Sequence, residues 1–259
     1  MAIILRSRRE IEIMKKAGEI VADVLLKLKE SAVAGQTTAQ LNRIAEDMTA
    51  KAGAEALFKG VRNPYGYKPF PAAVCTSINQ QVVHGIPSDN VILREGDILS
   101  VDFGVRIDGY CGDAALSVGI GQIDPRKQLL MDVTARMLDI AIENSKPGEK
   151  WSRIAKLMQE AAKSAGFSVV TEFVGHGIGT QMHEDPKVPN FVSRDLLSHD
   201  ILLQEGMVMA VEPMVNMGTS QVITLKDGWT VATKDGKPSA HFEHTIAITK
   251  SGCEVLTLK

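Results

Sequence analysis

The stretch Glu95-Gly96-Asp97-Ile98-Leu99-Ser100-Val101-Asp102 returns in altered form 110 residues later as Glu205-Gly206-Met207-Val208-Met209-Ala210-Val211-Glu212. Both stretches open on a Glu-Gly turn and run as a strand into an acid. The punctuation upstream repeats as well. Gly35 to Gly148 is a step of 113, as is Gly53 to Gly166, and each half carries a His-Gly-Ile, at His84-Gly85-Ile86 and His176-Gly177-Ile178. Two helices precede each strand region. Ser7 and Glu10 form a capping-box pattern, and Ile11, Met14, Ile20, Val21, Val24, Leu25 and Leu28 then recur at helical spacing up to Ala34-Gly35. A second helix runs from about Thr38 to Gly53. In the other half, Asp124-Pro125 reads as a cap followed by proline at the first helical position, and that helix ends near Pro147-Gly148. A last helix runs from Ser152 to Gly166. The spacing predicts a duplicated helix–helix–strand unit, its halves roughly 1–120 and 121–259. No Gly/Ser/Pro linker separates them, so the expectation is one α+β domain over 1–259, in which a shared curved antiparallel sheet is backed by four helices about an approximate two-fold axis. A site at the junction would draw equivalent residues from both halves.

The bulk composition narrows the partners. The chain has 259 residues, 44% of them hydrophobic and 23% charged, as in ordinary globular proteins. A formal net charge of −2 gives no basic footprint for specific nucleic-acid binding, so any RNA or ribosome contact would be a local patch. Nothing approaches the ~18 consecutive apolar residues of a membrane span. The start, Met1-Ala2-Ile3-Ile4-Leu5-Arg6, sets apolar residues ahead of charges, the reverse of a secretory signal. Cys75, Cys111 and Cys253 are odd in number and scattered, which suits a reducing compartment, the cytoplasm by default.

The segment Ile98 to Val118 reads as a hairpin turning at Asp108-Gly109. That turn sets Gly104 opposite Asp113 and brings Asp102 onto the same face as Asp113, roughly 7–8 Å away on the diagonal. From this pair alone, a solvent-facing edge hairpin explains the sequence equally well. The second half weighs against it. Glu212 sits in Val208-Met209-Ala210-Val211-Glu212-Pro213-Met214-Val215, and Glu243 in His241-Phe242-Glu243-His244-Thr245-Ile246, both inside strand-like apolar runs. His176 lies among three glycines in Gly175-His176-Gly177-Ile178-Gly179, where backbone or ligand comes close to the ring. Four carboxylates and a neutral imidazole carry four negative charges, which two divalent cations neutralise. The hard oxygen donors suit Mn, Fe or Co, and Zn accepts them too. A metal site of this kind lowers the pKa of water from 15.7 to about 7, worth roughly 12 kcal/mol toward a nucleophile at neutral pH.

With these residues assembled, the chain resembles the methionine aminopeptidases, of the short type, whose duplicated architecture is called the pita-bread fold. The resemblance runs through Val83-His84-Gly85-Ile86-Pro87, Val101-Asp102-Phe103-Gly104, Gly109-Tyr110-Cys111-Gly112-Asp113, Gly175-His176-Gly177-Ile178-Gly179, Glu212-Pro213-Met214-Val215 and Phe242-Glu243-His244-Thr245. It implies Asp102, Asp113, His176, Glu212 and Glu243 as ligands of two divalent metal ions, with Asp113 and Glu243 bridging. It implies that His84 contacts the substrate near the scissile amide, that His183 hydrogen-bonds its carbonyl, and that Glu212 moves protons. A metal-bound hydroxide would attack that carbonyl. Tyr67, Phe70, Cys75, Met182 and Trp229 would wall an apolar methionine pocket; here Phe70 stands where a tyrosine is common and Met182 where an aromatic often does. The implied partners are Met-peptides and the N-termini of nascent polypeptides with a small second residue, with a transient ribosome contact conceivable and a monomer expected. His183 and Glu212 are only 29 positions apart, so the helical insertion of the longer type has no room, and no zinc-knuckle extension precedes Ser7. The rival readings are an X-Pro aminopeptidase or prolidase-like peptidase with the same ligands, and a non-catalytic binding relative. His199, His241 and His244 carry no assigned role, and His244 is expected either to support the metal ligands from behind or to be structural.

Overall fold

The computed structural model describes residues 3–259; Met1 and Ala2, part of the apolar start noted above, lie outside the described residues. Helix α1 (Arg8–Ser31) begins at the expected capping box, in which Ser7 and Glu10 exchange bonds. Its buried face is Ile11, Met14, Ala17, Gly18, Val21, Val24, Leu25 and Leu28. Helix α2 (Thr38–Lys51) has a second box, from Thr37 to Gln40, and α3 (Pro125–Asn144) is capped by Asp124. The N-cap of α4 (Trp151–Ser164) is Lys150, which offers no side-chain acceptor. Asp200 serves from a distance, accepting from the Ser152 amide at 3.0 Å and its hydroxyl at 2.6 Å.

Nine strands form the main sheet: β1 (Glu55–Ala56), β2 (Cys75–Ile78), β3 (Ile98–Ile107), β4 (Tyr110–Gly119), β5 (Gly175–Gly177), β6 (Glu184–Val188), β7 (Val208–Val211), β8 (Glu243–Thr249) and β9 (Gly252–Val255). They lie in the order β1-β3-β4-β8-β7-β5-β6, with β2 beside β3 and β9 beside β8, so strands from both halves share one ladder. The pairing of β4 with β8 is the seam between halves. The β3–β4 hairpin has the expected register, Gly104 opposite Asp113. Asp108 (φ 51°) and Gly109 (φ 81°) both take the left-handed conformation that a two-residue turn between twisted strands needs.

Period-two alternation sorts the sheet into an apolar side and a chemical side. Val101, Phe103 and Val105 point to the helices and pack with Val21, Val24, Leu25 and Leu28 of α1. Met209, Val211, Ile246 and Ile248 do the same toward α3 and α4, against Leu130, Met137, Trp151, Ile154 and Met158. Asp102 and Gly104 therefore face the other way.

The repeat is visible in hydrogen bonds. The Gly35 amide donates to the Leu93 carbonyl, and the Gly148 amide to Leu203, each at 2.8 Å. Gly96 (φ 90°) donates to Ile120 and Gly206 (φ 91°) to Ile248, again each at 2.8 Å. Those bonds explain one departure from expectation. Helices α1 and α3 end at Ser31 and Asn144, ahead of Gly35 and Gly148, whose amides bond the loop carbonyls of Leu93 and Leu203, upstream of β3 and β7, instead of their own helices. A second departure is that the apolar run around Glu212 is not one strand. It breaks at Glu212-Pro213, where proline has no N–H to give a ladder, and Met214–Asn216 joins a different, three-stranded sheet.

Helix α1 reaches the sheet through Gly18, where an added Cβ would stand 2.0 Å from the Leu256 carbonyl oxygen. Gly18→Ala should therefore destabilise the fold by about 1–3 kcal/mol in urea unfolding. Glu19→Ala, on the exposed face, should change stability by no more than about 0.5 kcal/mol. An unchanged midpoint for Gly18→Ala would contradict this packing.

Candidate metal centre

Strand register assembles the centre. Asp102 on β3 pairs with Ala115 on β4, and Ala115 pairs with Glu243 on β8. Asp113 lies two residues from Ala115 and so shares its face. Thr245, two residues from Glu243, pairs with Ala210 on β7, which pairs with His176 on β5. Glu212 follows Ala210 by two. One row across the sheet thus carries Asp102, Asp113, Glu243 and His176, and Glu212 extends it just past the end of β7, so that three of the five come from the second half and two from the first. Gly104 leaves room for it, since a Cβ there would sit 3.0 Å from Asp113 Oδ1. The Thr245 hydroxyl locks the seam, donating to the Asp113 carbonyl at 2.7 Å and accepting from its amide at 3.1 Å. Asn190, wholly buried, donates to the Glu212 carbonyl at 3.0 Å and steadies the chain where the strand breaks.

Ligand atoms of Asp113, His176 and Glu243 lie within 4.8 Å of one another. Glu212 Oε1 is 3.5 Å from His176 Nε2. Asp102 and Glu212 line the same cavity. The edge-hairpin reading of Asp102 and Asp113 fails here, because Asp113 is 2% exposed and the hairpin lies inside the sheet. Burial lifts the carboxyl pKa of Asp102 to about 7. Burial first, and then the neighbouring acids, push Asp113, Glu212 and Glu243 well above the carboxylate range. Burial first, and then the neighbouring His183 imidazole, which disfavours a second positive charge, lower His176 to about 4, so the imidazole is neutral. Its Nδ1 lies 2.9 Å from the Gly177 carbonyl, which leaves Nε2 free to ligate. Asp102 Oδ1, Asp113 Oδ1 and Glu243 Oε1 are enclosed with no hydrogen-bond partner. Carboxylate oxygens are seldom left so unless a cation completes them. The residues fit divalent metal.

The acids and His176 form one wall of a cavity of about 480 Å³. His183 lies beside them, its ring centroid 4.4 Å from that of His176, and burial lowers its pKa. His84 stands edge-on to Phe173 and Trp229, at 5.7 and 6.5 Å. Its backbone is held at φ 58°, a strained conformation for a residue with a side chain, clamped by the Thr76 amide on the Gly85 carbonyl at 2.8 Å. Phe70, Cys75, Met182 and Trp229 line the cavity as expected, Phe70 meeting Trp229 edge to face at 5.3 Å. Tyr67 does not. It is 49% exposed, its ring against the backbone of Gly228, because a glycine there lets the two loops close face to face outside the cavity. Phe58, Val61 and Phe173 add to the apolar lining, and no sequence pattern pointed to them; Val174, Gly175, Glu184, Asp185 and Lys187 also line the cavity. His199 is exposed beside Asp195, and His244 Nδ1 meets the Thr257 hydroxyl at 2.8 Å. His241 is buried, with its Nε2 4.0 Å from Glu212 Oε2.

Fold and centre together are those of a metal-dependent hydrolase. The model of metallopeptidase family M24 matches residues 12–250. The chain is 45% identical to a methionine aminopeptidase of Aquifex aeolicus over 257 residues, 99% of each protein. It superposes on the crystal structure of methionine aminopeptidase from Thermotoga maritima with a TM-score of 0.93, at 40% identity and over the whole of both chains. The chain belongs to metallopeptidase family M24 and, within it, to the methionine aminopeptidases, with the pita-bread fold expected of them. A prolidase from Pyrococcus furiosus, 21% identical, shares the fold alone, with a TM-score of 0.77 over 99% of this chain and 66% of its own.

Sign and size follow for the metal-free protein. An acid whose pKa is near 3.8 unfolded and about 7 folded adds nothing to stability below the first value, and its penalty grows as pH rises to the second. With chelator present, Asp102→Asn should therefore gain stability over the parent between about pH 4 and pH 7, by up to about 4 kcal/mol in urea unfolding. A difference that stays flat with pH would contradict the buried charge.

Proposed function

We propose that this chain hydrolyses N-terminal methionine from peptides and nascent proteins whose second residue is small, using two divalent cations held by Asp102, Asp113, His176, Glu212 and Glu243. The observation that carries the reading is the row of buried acids with unpartnered oxygens at one end of an apolar cavity. Asp113, His176 and Glu243, whose ligand atoms converge, would hold a cation between them. Cations bound there would supply an activated water and polarise the scissile carbonyl.

The chain's own residues do the rest. His183, neutral through burial, offers a ring N–H to the substrate carbonyl oxygen and strengthens that bond as the oxygen gains charge. His84, also held neutral near 4, is poised to bond the substrate amide without adding a positive charge beside the cations. Glu212, which gives up its proton when it ligates a cation, would take one from the attacking water and pass it to the leaving amine. Phe58, Val61, Phe70, Cys75, Met182 and Trp229 accept the methionine side chain, and thioether-to-aromatic contacts with Phe70 and Trp229 suit it. The substrate's free amine is bound at the acid end, which restricts cutting to chain termini. On this reading the enzyme acts as a monomer in the cytoplasm, meeting nascent N-termini transiently near the ribosome; its three unbonded cysteines accord with a reducing compartment.

Stripped enzyme supplied in turn with Mn, Co, Fe and Zn should cleave Met-Ala-Ser and leave Gly-Pro intact. Preference for Gly-Pro would favour the prolidase-like reading, and no turnover with any metal the binding module. His183→Ala should lower kcat by about 10²–10³ with metal content unchanged. Loss of metal in that variant would refute the role given to His183.

A further inference from the structure

No hydrogen bond among the described residues holds the His183 ring; beyond its edge contact with the His176 ring, its aim depends on the loop that carries it. That loop is closed by Glu184. One Glu184 oxygen accepts from the Gln181 amide at 3.0 Å and approaches the Thr180 hydroxyl at 3.4 Å, and Glu184 pairs with Gly177, the neighbour of His176, across the ladder. The other oxygen accepts from the Arg6 guanidinium. Both side chains are buried, 5% and 10% exposed. Arg6 comes from the segment ahead of α1, before residue 12, where the family match begins.

Several contacts fix the guanidinium. Its face packs on the backbone of Gly179, where an added Cβ would fall 2.0 Å from Nη2. Gly179 is itself tied to β4 through the Cys111 amide at 2.8 Å. The Arg6 amide donates to the Gly206 carbonyl at 2.7 Å. Nη1 lies 3.7 Å from Glu10, whose carboxylate also takes the Ser7 cap and the Tyr110 hydroxyl. The far end of the loop, at Gly179, and its near end, at Glu184, thus meet on one rigid planar cation, and His183 is carried between them. A buried ion pair is weak evidence for net stability, but a rigid planar guanidinium lying between Glu184 and Glu10 and packed on Gly179 suits holding a loop in place.

We propose that Arg6 is a positioning residue for His183, acting through Glu184, so that the amino-terminal segment tunes the group that supports the substrate oxyanion. The proposal rests on the peptidase reading for the role of His183, and its geometric half is independent of that reading.

The test is a cycle of Arg6→Ala, Arg6→Lys and Glu184→Gln in the parent and in His183→Ala. It is read by kcat and KM on Met-Ala-Ser, by metal content, and by the ¹⁵N resonances of the His183 ring. Arg6→Ala should lower kcat about 10–100-fold with KM and metal content nearly unchanged. Arg6→Lys should recover part of the loss, and Arg6→Ala should cost less than about twofold in His183→Ala, where there is no ring left to aim. The His183 resonances should shift or broaden in Arg6→Ala and Glu184→Gln. A full loss repeated in His183→Ala, metal lost in step with activity, or unmoved ring resonances would overturn the proposal. Where Arg6→Ala does not fold, Arg6→Lys and Glu184→Gln carry the same comparison. A parent that turned over no Met-Ala-Ser would sink the peptidase reading, and the ring resonances would still decide the positioning claim.

Discussion

Four carboxyl groups share one patch at the wall of a cavity, Asp113 and Glu243 buried and Asp102 and Glu212 half-buried. Bringing unpaired carboxylates out of water costs several kcal/mol each, and their mutual repulsion grows as the surroundings become less polar. The chain meets this constraint in two ways. Without metal, the acids keep protons at a pH where exposed carboxyls have lost them, as the raised values at Asp102, Asp113, Glu212 and Glu243 express. With metal, the same acids become ligands, so cation binding must expel protons and strengthen with pH. The cluster is tolerable only because the rest of the fold holds it rigidly, through the Thr245 seam, the Gly104 clearance and the Asn190 brace.

The fold solves a placement problem through duplication. Each half supplies a helix pair on one side of the sheet and acids on the other, and the β4–β8 pairing brings the two sets into one row. Alternation along the strands then does the sorting: the residues that anchor α1 through α4 are the neighbours, one step along, of the residues that face the cavity. A single-residue slip in the β3–β4 register would turn Asp102 toward Val21 and Leu25. The Asp108-Gly109 turn guards against that slip.

Features with a local physical cause were legible in the sequence. The Ser7–Glu10 box, the Asp124-Pro125 start, the hairpin turn and the strand positions of Asp102, Asp113 and Glu243 all depend on neighbours within a few residues, and all stand where they were expected. Features set by distant contacts were not. Phe58, Val61 and Phe173 reach the cavity from loops whose course no periodicity encodes. The cap on α4 comes from Asp200, nearly fifty positions away. Arg6 looked like the first charge after an apolar start, and its burial against Gly179 depends on how the second half folds back. Tyr67, assigned to the pocket by resemblance alone, stands outside it because Gly228 takes its ring. The break at Glu212-Pro213 could have been read from the proline; the strand-like run around it concealed it.

The central claim is that the five residues of the row hold two cations side by side. Anomalous diffraction from crystals grown with Mn²⁺ tests it most directly. The account predicts two peaks per chain, about 3.5–4 Å apart, between Asp113 and Glu243, with Asp102, His176 and Glu212 completing them. A single peak, or peaks elsewhere while these side chains keep their protons, would contradict it.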